Sequence, residues 1–109
     1  MINYETLTIF DKEYKKLFKK YRSLDKDMEV FKEALTVFPT GQSNNSQIVH
    51  DAGNIKVVKS RFFCRYLKGS TLRIVYAFHK VENRICFIEI YFKGEKENED
   101  RQRIKDYVE

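Results

Sequence analysis

Between Ala52 and Val81 the chain carries no carboxylate, yet Lys56, Lys59, Arg61, Arg65, Lys68, Arg73 and Lys80 give that window seven positive charges. Phe62, Phe63, Tyr66 and Tyr76 are interleaved with them. Cations neutralise phosphates and aromatic faces stack on bases, so the pattern suits a polyanion such as nucleic acid. It equally describes the solvated face of an ordinary basic sheet, and composition does not separate the two. Strand alternation narrows the set, because side chains two apart share a face. Sorted in this way, Lys59, Arg61, Arg65, Arg73, Glu89, Tyr91 and Lys93 fall on one sheet face. There the arginines would hold phosphate oxygens, while a carboxylate, a phenol or an ammonium would handle a proton. From these residues alone Arg73 has two readings, a cross-strand salt bridge to Glu89 or a phosphate-stabilising guanidinium. Tyr91 and His79 are as readily packing residues as acids or bases. His50, His79, Cys64 and Cys86 lack metal-ligand spacing, and no glycine-rich phosphate loop or nucleophile elbow occurs. No cofactor is implied.

The elements that must position this face follow from periodicity. Glu5 to Phe10 alternates apolar residues with Thr and reads as a first strand. Asp11 then stands as an N-cap before Tyr14, Leu17, Phe18 and Tyr21, which line one face of a basic helix. Ser23 or Asp25 caps a second helix carrying Leu24, Met28, Phe31, Leu35 and Phe38. So short a joint implies an antiparallel helical hairpin. Pro39, Gly41 and Gln42 to Ser46 end that helix and open the longest loop, where flexibility is expected. Three antiparallel strands follow in a meander: residues 55–67, Leu72 to His79, and Arg84 to Lys93. Leu72, Ile74, Tyr76 and Phe78 form the face turned to the helices, as do Cys86, Ile88, Ile90 and Phe92. Asn98 caps a short terminal helix with Ile104, Tyr107 and Val108 on one side.

The chain has 109 residues with 42% hydrophobic and 15% aromatic content, enough for one modest core and too apolar for a disordered chain. A single domain over 1–109 is therefore expected. Two cysteines are too few for a disulfide scaffold, and the first residues lack a leader pattern, so a cytoplasmic protein with no membrane partner is expected.

The order of these segments resembles the RelE/ParE superfamily of toxins from type II toxin–antitoxin systems, and RelE-like mRNA interferases most. The similarity is carried by Phe10 to Leu17, by Leu72-Arg73-Ile74-Val75-Tyr76, and by Phe87 to Gly94 before a charged terminal helix. It implies an α+β, RelE-like fold in which an N-terminal helical hairpin packs on a small twisted antiparallel sheet with a short C-terminal helix. It implies a ribosome-dependent endoribonuclease that enters the A site and cleaves mRNA without metal, through attack of the 2′-hydroxyl on the adjacent phosphate. It also implies a cognate antitoxin. By the same resemblance Arg73 stabilises the phosphate charge, Arg65 or Arg61 serves on the preceding strand, and Tyr91 or Lys93 stands at the end of the last. Lys59, Arg61, Lys68 and Lys96 are the expected RNA contacts. The His-Tyr terminus of some relatives is absent, which leaves Glu89 or a lysine as candidate base. The alternatives are a ParE-like inhibitor of DNA gyrase and a degenerate toxin that keeps only antitoxin binding.

Overall fold

A computed structural model describes residues 1–42 and 44–109; Ser43, part of the polar stretch expected to be flexible, lies outside them. The order is β1 (Asn3–Thr6), α1 (Thr8–Lys20), α2 (Leu24–Val37), β2 (Ser46–Asp51), β3 (Ile55–Phe62), β4 (Leu72–His79), β5 (Arg84–Phe92) and α3 (Arg101–Val108). The strands form one sheet in the order β1-β5-β4-β3-β2. β2 to β5 are an antiparallel meander, whereas β1 runs parallel to β5, so the sheet is mixed rather than purely antiparallel.

β1 is earlier than its alternation suggested. Ile9 and Phe10 belong to α1, with Leu7 rather than Asp11 at the N-cap position. The helical period wins because Phe10 is buried and lies one turn before Tyr14, their ring centroids 5.9 Å apart. β2 occupies what the polar composition marked as loop. An edge strand needs only one ladder, so Ser, Gln, His and Asp are tolerated there. Its hairpin to β3 closes where Asp51 accepts from the Gly53 amide (2.9 Å) and from Lys56 Nζ (2.8 Å), with Gly53 at φ +81°.

Both N-terminal helices lie on one face of the sheet. Phe10, Leu17, Leu24, Met28 and Leu35 meet Val58, Phe62, Leu72, Ile74, Tyr76 and Phe87 in the main core. α1 rests mainly on β5, and its contacts with α2 are few beside those. The sheet, more than the partner helix, thus holds α1. One link between the helices is the Tyr14 hydroxyl, which donates to Asp25 Oδ1 at 2.6 Å.

The opposite face is covered too. Ile104, with Tyr107 and Val108, packs on Val57, Val75, Ala77 and Ile88. α3 starts at Arg101 rather than after Asn98, because Asp100 is the cap: its carboxylate accepts from the Arg103 amide at 3.0 Å.

Candidate phosphate-binding site

Register decides which cations share a face. Lys59 pairs with Val75 and Arg61 with Arg73 across β3 and β4, while Arg73 pairs with Tyr91 across β4 and β5. Arg61, Arg73 and Tyr91 therefore form one row at the end of the sheet. Phe62 and Tyr76, from the aromatic set, point the other way and are fully buried in the main core.

A bulge in β5 corrects the expected parity. Val75 pairs with Glu89 but Tyr76 pairs with Phe87, so Ile88 is the extra residue. Ile85 and Phe87 consequently face the helices with Ile90 and Phe92, while Ile88 sits in the core under α3, with Cys86 on its side of the sheet opposite Ala77. The bulge is held from outside the strand. β1 pairs with β5 only as far as Phe87, and beyond it Arg103 Nη1 donates to the Ile88 carbonyl (2.9 Å) while Glu13 Oε1 accepts from the Ile90 amide (3.3 Å). Arg103 and Glu13 are joined by two hydrogen bonds of 2.9 and 3.0 Å.

The expected site residues separate into three groups. Arg61 and Arg73 stand directly opposite each other, and among the described residues neither is ion-paired. Arg73 is instead steered by its own turn, donating to the Thr71 hydroxyl and the Leu72 carbonyl (3.4 Å). It makes no salt bridge to Glu89.

The second group is spent on structure. Glu89 is fully buried, paired with Lys96 and accepting from the Asp100 amide at 2.8 Å. A carboxylate so enclosed offers no free oxygen to a substrate, which removes Glu89 from the exposed site. Lys96 is committed to it, with its ammonium 5.5 Å from the centre of the Tyr91 ring. Lys59 is likewise committed, 3.1 Å from Glu99. Burial opposes ionisation of Glu99, but a backbone hydrogen bond and Lys59 outweigh it and hold its carboxyl below the usual range. Lys59 and Lys96, both expected as RNA contacts, are thus each paired with a carboxylate.

The third group lies off the row. β3 ends at Phe62, so Arg65 leaves the alternation; it is exposed on the α2 side, its amide 3.2 Å from Asp27 and its Nε 3.9 Å from the same carboxylate. Lys68 is exposed in a turn beside Gly69, which takes φ +74°. Lys93 is exposed in the turn after β5.

Tyr91 is only 6% exposed, and its phenol is pushed up to about 12 by burial, with Glu99 and Glu89 adding to the shift and Arg73 opposing it. It is a proton and hydrogen-bond donor near neutral pH, not a base. His79 is a structural residue. Its Nε2 lies 2.6 Å from the Tyr107 hydroxyl and its Nδ1 3.2 Å from Arg84, which ties α3 to the ends of β4 and β5. What the sequence reading missed is the neutralising role of Glu99 and of the Lys96–Glu89 pair. Lys59 and Glu99 lie 40 residues apart, and such a separation leaves no local pattern.

At the level of sequence, no family profile matches the chain and no curated protein is significantly similar. Structure is more informative. The RelE-RelB complex of the archaeon Pyrococcus horikoshii OT3 contains a chain that superposes with a TM-score of 0.62 at 13% identity, over 85% of this chain and 96% of that one. With three helices around a five-stranded mixed sheet among the described residues, the protein has a RelE-like α+β fold.

Proposed function

We propose that the protein is the toxin of a toxin–antitoxin pair and acts as a ribosome-dependent mRNA endoribonuclease. The observation that carries this reading is the Arg61–Arg73 pair. Like charges directly opposite on neighbouring strands repel, and a structural role would call for a carboxylate between them. An RNA phosphate supplies the missing anion. In the reaction the 2′-oxygen forms a bond to phosphorus as the bond to the 5′-oxygen breaks, giving a 2′,3′-cyclic phosphate and a 5′-hydroxyl. Arg73 stabilises the growing charge on the non-bridging oxygens through its planar fork, with Arg61 beside it. The Tyr91 phenol, which keeps its proton, is suited to protonating the departing 5′-oxygen, and the 2′-hydroxyl proton passes to water. Lys93 and Lys68 contribute attraction at longer range. The antitoxin would cover the basic surface between encounters.

A second reading is favoured by the enclosure of Glu89 and the low exposure of Tyr91, which withdraw these two residues from service as a base. A ParE-like inhibitor of DNA gyrase needs only a complementary surface and no base. Induction of the wild type and of Arg73→Ala in cells, with mRNA 5′ ends mapped and plasmid supercoiling assayed, separates the two. Codon-phased cleavage that disappears in the variant is the expected result. Intact mRNA with impaired supercoiling would establish the gyrase reading instead.

A further inference from the structure

The aromatic residues that the sequence interleaves with the cations part company in the fold. Phe62 and Tyr76 are fully buried, whereas Phe63 and Tyr66 are 61% and 60% exposed. Phe63 follows the last residue of β3 and stands between Phe62 and Cys64, both of which enter the main core. Alternation along an extended chain therefore turns Phe63 away from that core and sets it on the side of Arg61, about 6.6 Å further on. Tyr66 is held differently. Its amide donates to the Ser23 hydroxyl (3.3 Å) and the Arg65 amide to Asp27 (3.2 Å), so this part of the loop is fastened to the start of α2.

The surroundings of Phe63 tie it to the phosphate row. The ladder between β3 and β4 ends at Phe62 and Leu72, and its next step would set Phe63 opposite Thr71. Arg73 donates to the Thr71 hydroxyl, so its guanidinium reaches toward that same end of the sheet. β2 pairs with β3 only as far as Ser60, and beyond it Arg61 and Phe63 both border an open groove of about 570 Å³, which leaves room beside the ring. Among the described residues no other aromatic ring and no cation stacks on Phe63. A lone exposed apolar residue needs no explanation, but a free ring beside two unpaired arginines matches the two parts of a nucleotide, its base and its phosphate.

We propose that Phe63 is a nucleobase-stacking subsite of the phosphate row: the Arg61–Arg73 pair holds a phosphate of single-stranded RNA, and the adjoining base lies on the Phe63 ring. This rests on the reading of the row as an RNA-phosphate site and adds to it a contact with the base. Stacking accepts any base because each has a π-face, and stronger stackers gain more. A double helix keeps its bases stacked on one another, so the subsite selects an unpaired strand. Tyr66, equally exposed but fastened toward α2, takes no part.

The test measures binding of two short strands to the whole protein, a 2′-O-methyl oligoadenylate of about five nucleotides and an abasic 2′-O-methyl strand of the same length and charge. The methyl group removes the attacking hydroxyl, so neither strand is cleaved. The wild type should bind the oligoadenylate about tenfold more tightly than the abasic strand. Phe63→Ala should remove that difference and leave the slope of affinity against salt unchanged, because no phosphate contact is lost. Tyr66→Ala should keep the difference. The chain has no tryptophan, so Phe63→Trp provides a single reporter whose fluorescence the oligoadenylate, and not the abasic strand, should quench. Equal binding of the two strands by the wild type, an equal loss from Tyr66→Ala, or an unquenched reporter would each overturn the proposal, and the first of these needs no variant to fold. The proposed function fails separately. Equal, salt-sensitive binding that Arg73→Ala abolishes leaves the phosphate row standing without a base subsite, and failure of both strands to bind removes row and subsite together. Base-dependent binding without mRNA cleavage in cells keeps the subsite and removes the ribonuclease.

Discussion

Replacing Arg103 by Ala should be among the most damaging changes available at a residue outside the main core. Arg103 is 12% exposed in its side chain and joins three elements: it grips Glu13 on α1 with two hydrogen bonds, donates to the bulge carbonyl of Ile88 on β5, and belongs to α3. A hydrogen bond to a charged group is worth roughly 1.5–3 kcal/mol net, and a carbonyl left without its donor costs roughly 1–3 kcal/mol. Glu13 is 24% exposed and water recovers part of its solvation, so the lower end of each range applies. Together they give a loss of about 2.5 kcal/mol, or roughly 10–15 °C in Tm for a domain of this size. Urea unfolding of wild type, Arg103→Ala, Glu13→Gln and the double variant measures it. The double variant should be more stable than the sum of singles implies, by about 1–2 kcal/mol, because one removal already breaks the pair. Arg103→Lys should recover less than half, since an ammonium cannot serve the carboxylate and the carbonyl in the same fork. A loss below about 0.5 kcal/mol, the range of ordinary surface substitutions, or strictly additive variants, would refute the idea that this pair clamps the bulge.

Three further outcomes are expected. Under the proposed function, Arg73→Lys should remove most mRNA cleavage, a loss of roughly 2–4 kcal/mol in transition-state stabilisation, whereas Lys68→Ala should weaken association mainly at low salt; equal effects in a cleavage assay at two salt concentrations would make the surface a general polyanion binder. Burial, then the Arg84 charge, makes the His79 imidazole less basic than in the open chain, so the unfolded state takes up the proton first. Stability should therefore fall as pH drops below about 6.5 and level off once the lower folded pKa is passed, and urea midpoints of His79→Phe across that window should show a flatter dependence. Gly41 has φ +78°, and a Cβ there would lie 2.1 Å from Ser46 Oγ, so Gly41→Ala should cost about 1–3 kcal/mol by thermal unfolding.

Elements whose pattern is local and strong were legible along the chain. The 3.6-residue spacing of Tyr14, Leu17 and Phe18 and of Leu24, Met28, Phe31 and Leu35 marks two helices, and Leu72 to His79 alternates cleanly enough to assign both of its faces. Arg73 on the side away from the helical layer was legible for that reason. Tertiary structure decided the rest. Ile9 and Phe10 have β-prone side chains but join α1, because Phe10 gains a core position there. Residues 46–51 become a strand because β3 offers an unpaired edge, which their composition does not announce. Ile88 shifts the parity of β5 by one residue, and the groups that fix the shift, Glu13 and Arg103, lie far from it in the chain. Ion pairing was equally hidden: Lys59, Arg61 and Arg73 look alike along the chain, but the fold sets Glu99 against Lys59 and Glu89 against Lys96 and, among the described residues, no carboxylate against the two arginines. Periodicity follows from a side chain's neighbours on its own helix or strand, whereas charge balance follows from what the fold brings beside it.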